Sequence, residues 1–224
     1  MINLTKFIDK LTYSHFYVDI IAFVVASFSL IIGWSEMEIY IRLAYILFIG
    51  MCLHQLEEYR WPGGFVWGYN TIQKSDKPDR YPGNRLSASL IDVVSLILGG
   101  YFLFWNCTAV VSAVFAMFAL IEVVVHIGFG SIMLKKFRSK GKETIYFPGN
   151  ATSWFIFAPF GAATLYELIT NNLLIAMGWI QSILYLILFL LFIVLLPQKL
   201  FKNPNTHYAY KTKPIEGYFK KFMD

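Results

Sequence analysis

The sequence predicts an all-α, polytopic membrane helix bundle of about six transmembrane helices, and three observations predict it. The 224 residues are 57% hydrophobic and only 15% charged, with a mean hydropathy of +0.55, whereas a soluble domain carries roughly 25% charged residues. Six apolar runs each reach the ~20 residues that cross hydrocarbon as helix. The cations are segregated: 18 of the 19 Lys and Arg lie in four segments between or beyond these runs, and only Arg42 lies elsewhere.

The first run, about 16–34, is too long for a cleaved signal peptide and lacks a small-residue processing site, so it reads as a retained span. The second, about 39–58, ends in LHQLEEYRWPGGF, where a histidine and two glutamates follow a dozen almost wholly apolar residues. The third, about 86–105, carries Asp92, and the fourth, about 108–134, carries Glu122 and His126. The fifth, about 151–170, contains Pro159, which is expected to kink it; the sixth covers about 173–196. Residues 1–224 therefore read as one integral membrane domain, closed by a basic tail at 197–224. Its Lys199, Lys202, Lys211, Lys213, Lys220 and Lys221 stand among aromatic residues and are expected to lie along the membrane surface.

Orientation follows from charge. The N-terminus, the 59–85 and 135–150 loops and the tail carry two, five, five and six cations. The positive-inside rule makes them cytoplasmic, with both termini inside a multi-pass protein of the cell (plasma or inner) membrane. The net charge of +5 then reflects topology and anionic headgroups; membrane lipids are the expected partners, and no motif points to nucleic acid. Cys52 and Cys107 form no disulfide framework and no CxxC pair.

A repeat is visible in RYPGNRLSASL at 80–90 and IYFPGNATSWF at 145–155. Each Pro-Gly-Asn ends a basic loop and opens a span, with Asn84 or Asn150 placed to cap the new helix. Each also follows a helix bearing acids and histidine: His54, Glu57 and Glu58 upstream of the first, Glu122 and His126 upstream of the second. Spans two and three would thus correspond to spans four and five in a parallel internal repeat.

Residues three or four apart share a helix face, so His54 aligns with Glu57 and Glu58, and Glu122 with His126. At 1.5 Å per residue, Asp92 lies at a similar depth. The expected metal ligands are His54, Glu57, Glu58, Glu122 and His126, with Glu58, Asp92 and Glu122 as catalytic or proton-carrying groups. Asn84, Asn150 and Tyr146 are expected to orient them from behind. The bland readings are an interfacial role for Glu57 and Glu58, histidines satisfied by neighbouring carbonyls, and a protonated Asp92. Glu122 resists such a reading. No basic residue lies within eleven positions of it, so burial demands a partner from another helix, a proton or a metal. Glu167 falls near the far end of span five; His15 and Asp19 sit where span one begins, read first as interfacial, with a place in the site left open to them.

His54-Gln-Leu-Glu57-Glu58 with its Pro-Gly turn, then Glu122 and His126, then Tyr146-Phe-Pro-Gly-Asn150 resemble the HXXEE-domain family of multi-pass membrane proteins over roughly residues 40–155. The family name records a motif. The resemblance implies a shared site built from these residues and implies no reaction.

The inventory favours a membrane-embedded, metal-dependent enzyme acting on a lipid or other hydrophobic substrate at the cytoplasmic leaflet, with one or two divalent ions. Imidazole with carboxylate suits Fe, Mn or Zn; iron implies oxygenase or desaturase chemistry and zinc hydrolysis. Two alternatives stay open: a metal-free acid/base lipid isomerase, and a small transporter or binding protein with a buried carboxylate relay.

Overall fold

A computed structural model describes residues 4–210 and 217–223. Its described residues are helical, without strands. An amphipathic helix α1 (Leu4–Ser14) leads into α2 (Phe16–Gly33), followed by α3 (Ile39–Tyr59). A short α4 (Phe65–Ile72) precedes α5 (Arg85–Trp105) and α6 (Ala109–Phe137). Residues 150–170 form one rod made of α7 (Asn150–Thr152), a π-helical stretch (Ser153–Phe157) and α8 (Ala158–Thr170). The last rod, Ala176–Leu200, comprises α9 (Ala176–Phe189), a second π-helical stretch (Leu190–Leu195) and α10 (Leu196–Leu200).

Five of these helices are long and apolar enough to cross a membrane, and with the 150–170 rod they form the predicted bundle of about six. Its outward surface presents Ile21, Phe28, Ile31, Ile97, Val124, Phe155 and Ile180, the composition a lipid solvent selects. Pro159 lacks an amide proton, and the wide turn before it, Ser153–Phe157, is where the rod departs from α-geometry.

α3 is the central element, packed against α2, α5, α6 and α8. On its α2 and α5 side, Ala26, Ala44, Phe48, Cys52 and Leu96 form one buried cluster; on its α6 side, Leu47, Ala116, Ala119 and Phe157 form another. Alanines at these crossings allow close approach, the usual basis of helix association in lipid. α5 begins with a capping box: the Asn84 side chain accepts from the Leu86 and Ser87 amides while Ser87 returns a bond to the Asn84 amide.

The basic end of the bundle is more structured than the sequence indicates. The 59–85 connection turns back through Gly63 and Gly64, both at positive φ, and folds as α4 beneath α6. Part of the tail also packs on the bundle: Phe219 and Phe222 are buried with Phe137 and Phe147, while Lys220 and Lys221 face outward on the same short turn. Lys211 and Lys213 lie outside the described residues.

Lys142 locks this floor in place. It is 1% exposed, and its Nζ donates to the Tyr146 carbonyl (2.6 Å) and the Tyr218 hydroxyl (3.2 Å) amid the rings of Tyr218, Phe219 and Phe222. Burial pushes its ammonium down to about 8, with Lys221 adding repulsion.

Candidate metal centre

α3 and α6 face one another at their basic ends and bring four side chains together. His54 Nε2 lies 3.4 Å from Glu58 Oε1, one turn further along α3. The same Glu58 oxygen lies 3.1 Å from His126 Nε2 across the interface. His126 Nε2 is 3.5 Å from Glu122 Oε2, one turn earlier on α6, and that oxygen closes the ring at 4.0 Å from His54 Nε2. Imidazole and carboxylate alternate around the circuit. His54, Glu58 and His126 are buried, whereas the Glu122 side chain keeps 21% exposure and forms the open edge.

The 3.1 Å contact has the length of a hydrogen bond without its alignment, and the other three, at 3.4–4.0 Å, are long for hydrogen bonds and short for independent groups. Ligand atoms ~2.1 Å from a shared tetrahedral ion stand about 3.4 Å apart, the middle of the observed range. Neither nitrogen of His126 is aligned for a hydrogen bond, although the ring is fully buried. An orphaned buried imidazole is costly unless a ligand takes up its lone pair. His54, Glu122 and His126 each offer a ligand atom, all within 4.8 Å of one another. The residues present therefore fit a metal ion.

Glu57 corrects the expected ligand set. Its Oε1 accepts from the Tyr146 hydroxyl (2.8 Å) and the Ala151 amide (3.1 Å), and its Oε2 from the Thr152 amide (2.9 Å) and Thr152 hydroxyl (2.8 Å). Four donors saturate both oxygens, so Glu57 is an anion at the amino end of the 150–170 rod, where free amides and the helix dipole favour it. Its influence on the centre is indirect. Thr152 Oγ1 also lies 2.8 Å from His54 Nδ1. A hydroxyl has one proton, which goes to the carboxylate as the stronger acceptor, so Nδ1 must donate to Oγ1. That tautomer leaves the Nε2 lone pair of His54 facing the other three groups. Burial, then the Glu57 charge, push the Tyr146 phenol well above its ordinary range, so it remains a donor.

Thr152 is thus a positioning residue that sequence reasoning missed; Gly149 is another. A Cβ on Gly149 would lie 2.2 Å from His126 Cε1 and 2.7 Å from His54 Cε1, and the backbone there has φ +99°. The Pro-Gly-Asn turn is therefore a wall of the site, laid flat against both imidazoles. Glycine also lets this segment cross α6, where a Cβ on Gly130 would meet the Ile145 carbonyl at 1.8 Å. Rings complete the enclosure: Phe157 lies 4.9 Å from His54, and Phe65 and Phe147 lie 5.7 and 5.9 Å from His126.

Three other expectations resolve differently. Asp92 shares the depth of the centre and points elsewhere, pairing through Oδ2 with His15 Nδ1 against α2. Asn84 bonds to none of the four side chains; besides capping α5 it donates from Nδ2 to the Phe201 carbonyl (2.8 Å) at the end of the last rod. Asn150 is fully buried, its Nδ2 reaching only the Ile145 carbonyl at 3.4 Å. The two Pro-Gly-Asn turns also differ in backbone, since Gly149 adopts positive φ and Gly83 does not, so the sequence repeat is not matched by equivalent turns.

Beside the centre lies an apolar crevice of about 740 Å³ bounded by α3, α5, α6 and α9. Met51 and Ala119 in its lining stand one turn from His54 and Glu122, and Phe157 lines the crevice while covering His54. α5 packs against the last rod chiefly through the 190–200 half, which leaves the gap between α5 and α9 open.

No curated protein and no solved structure gives a significant match to the chain. Residues 45–164, more than half of the sequence and the whole span that builds the centre, match the family described as a protein of unknown function with HXXEE motif; the chain belongs to the HXXEE family.

Proposed function

We propose that this protein is a membrane-embedded, metal-dependent enzyme that acts on a lipid or other hydrophobic substrate at the cytoplasmic leaflet. The observation that carries the reading is the closed circuit of His54, Glu58, His126 and Glu122, with His126 left without a hydrogen bond on either nitrogen. Two glutamates and a divalent ion sum to zero charge, which a low-dielectric interior tolerates far better than two bare carboxylates.

Two imidazoles and one carboxylate, here His54, His126 and Glu122, are the ligand composition of non-haem iron oxygenases, and this favours iron. When bound, iron supplies the redox chemistry of hydroxylation and desaturation, and zinc in its place supplies Lewis-acid hydrolysis. The chain supplies the rest. Thr152 and Glu57 fix the His54 tautomer, Gly149 holds both rings, and Phe65, Phe147 and Phe157 exclude water. Glu122, with the most exposed side chain of the four, marks the edge by which a substrate would reach the ion. A crevice of this size and lining accommodates an acyl chain or similar apolar body, with its reactive carbon delivered toward Glu122.

The test is elemental analysis of detergent-purified protein by inductively coupled plasma mass spectrometry, wild type beside Glu122→Gln and His54→Ala. Near-stoichiometric iron, manganese or zinc that falls in both variants supports the reading, and the element selects the reaction class. Wild-type protein that stays metal-free after reconstitution while still turning over a lipid would replace it with acid/base catalysis by the same glutamates.

A further inference from the structure

A second polar cluster lies in the bundle, on helices that contribute nothing to the first. His15 stands at the junction of α1 and α2, Asp19 one turn into α2, and Asp92 two turns into α5. His15 is 5% exposed and both aspartates are 0% exposed. One ligand atom from each of the three lies within 4.8 Å of the others. We propose that His15, Asp19 and Asp92 form a second, independent site for a divalent transition-metal ion.

The argument rests on what these carboxylates lack. Both oxygens of Asp19 and the Oδ1 of Asp92 are buried with no donor from outside the two carboxyl groups, and only Asp92 Oδ2 is engaged by another side chain, His15 Nδ1. A buried carboxylate without donors is among the costliest groups a fold can carry, and here two share one pocket. The cation nearest in sequence to Asp92 is committed elsewhere. Arg85 donates to the Asp9 carbonyl (2.9 Å), the Asp9 carboxylate (2.6 Å) and the Thr12 hydroxyl, and its guanidinium stacks on Tyr13 at 3.5 Å. A divalent ion would neutralise both aspartates and occupy their free oxygens. The imidazole selects a transition metal over magnesium or calcium, which prefer oxygen alone. Three protein ligands would leave at least one position open.

The ligand sets are disjoint, so each site can be emptied without touching the other. The experiment strips the full-length, detergent-purified protein with chelator and titrates it with zinc by calorimetry and elemental analysis, comparing wild type, His126→Ala, Asp19→Asn and the double variant. Expected stoichiometries are about two, one, one and none. Asp19→Asn preserves shape while removing charge. Should it not fold, the His126→Ala protein alone decides the matter, since it must still take up about one equivalent. A His126→Ala protein that binds no zinc overturns the proposal, as does an Asp19→Asn protein that folds and binds as much as wild type, in which case protons neutralise the aspartates. One equivalent in wild type, kept in His126→Ala and lost in Asp19→Asn, would sustain this site while refuting the metal at His54 and His126.

Discussion

Replacing Gly149 by alanine isolates the role of the Pro-Gly-Asn turn, because one methyl group meets two separate obstacles. The first is local. At φ +99° an L-residue is in left-handed territory, which costs roughly 1–2 kcal/mol. The second is contact: the new Cβ would lie 2.2 Å from His126 Cε1, 2.7 Å from His54 Cε1 and 2.8 Å from His126 Nδ1. Relieving it requires both imidazoles to shift, and overpacking of that kind costs about 1–3 kcal/mol. The sum is about 2–5 kcal/mol, which for a chain of this length lowers the melting temperature by on the order of 5–20 °C. Gly128→Ala is the control, since it lies in the same stretch of α6 as His126 with nothing within 4 Å of its Cβ; in a helix it should melt no lower than wild type. The assay is thermal unfolding in detergent with metal content measured on the same samples. Equal melting of the two variants with unchanged metal would refute the claim that the turn is pressed against the imidazoles.

Glu57→Gln and Glu58→Gln, adjacent and chemically identical changes, should separate by role. Glu58→Gln removes the anion that faces both histidines and should lower retained metal the more, whereas Glu57→Gln breaks the acceptor behind Thr152 and should weaken affinity about 10–100-fold; competition titration with a chelating dye reads both, and the reverse ranking would show that Glu57 matters more to the ion than Glu58. Lys142 gives a pH signature. Its folded pKa, about 8, is below the unfolded ~10.4, so burial penalises folding fully below pH 8 and the penalty fades as pH rises from 8 through 10.4. The melting temperature of wild type relative to Lys142→Met should therefore increase between pH 7.5 and 10, and a flat difference would mean that the ammonium is not desolvated.

The helices were legible because lipid imposes one rule on every residue of a span, and composition over twenty positions averages out local exceptions. The short elements were not. α4 owes its place to Phe65 and Trp67 packing against Phe129 and Phe137 of α6, and 217–222 to a pocket of rings assembled from distant parts of the chain. Spacing indicates which side chains share a helix face and how deep they lie, and His54, Glu58, Glu122 and His126, which it groups, do lie side by side. It could not establish azimuth. Asp92 has the right depth, yet α5 turns it toward α2, where His15 and Asp19 lie; α1 and its join to α2, which place His15, are invisible to a hydropathy window.

The two adjacent glutamates of the motif show why azimuth matters for mechanism. Successive residues on a helix point ~100° apart, so His-x-x-Glu-Glu cannot aim both acids at one partner. Glu58, four residues from His54, turns toward α6, while Glu57 turns toward the amino end of the 150–170 rod. The second acid contributes to the site by way of the first histidine, through Thr152, and that requires the Pro-Gly-Asn turn to deliver Thr152 and Gly149 to the same place. On the proposed reading the HXXEE motif and the later turn are two halves of one device: the first would supply a ligand pair and an anchoring anion, and the second supplies the hydroxyl and the bare backbone against the imidazoles.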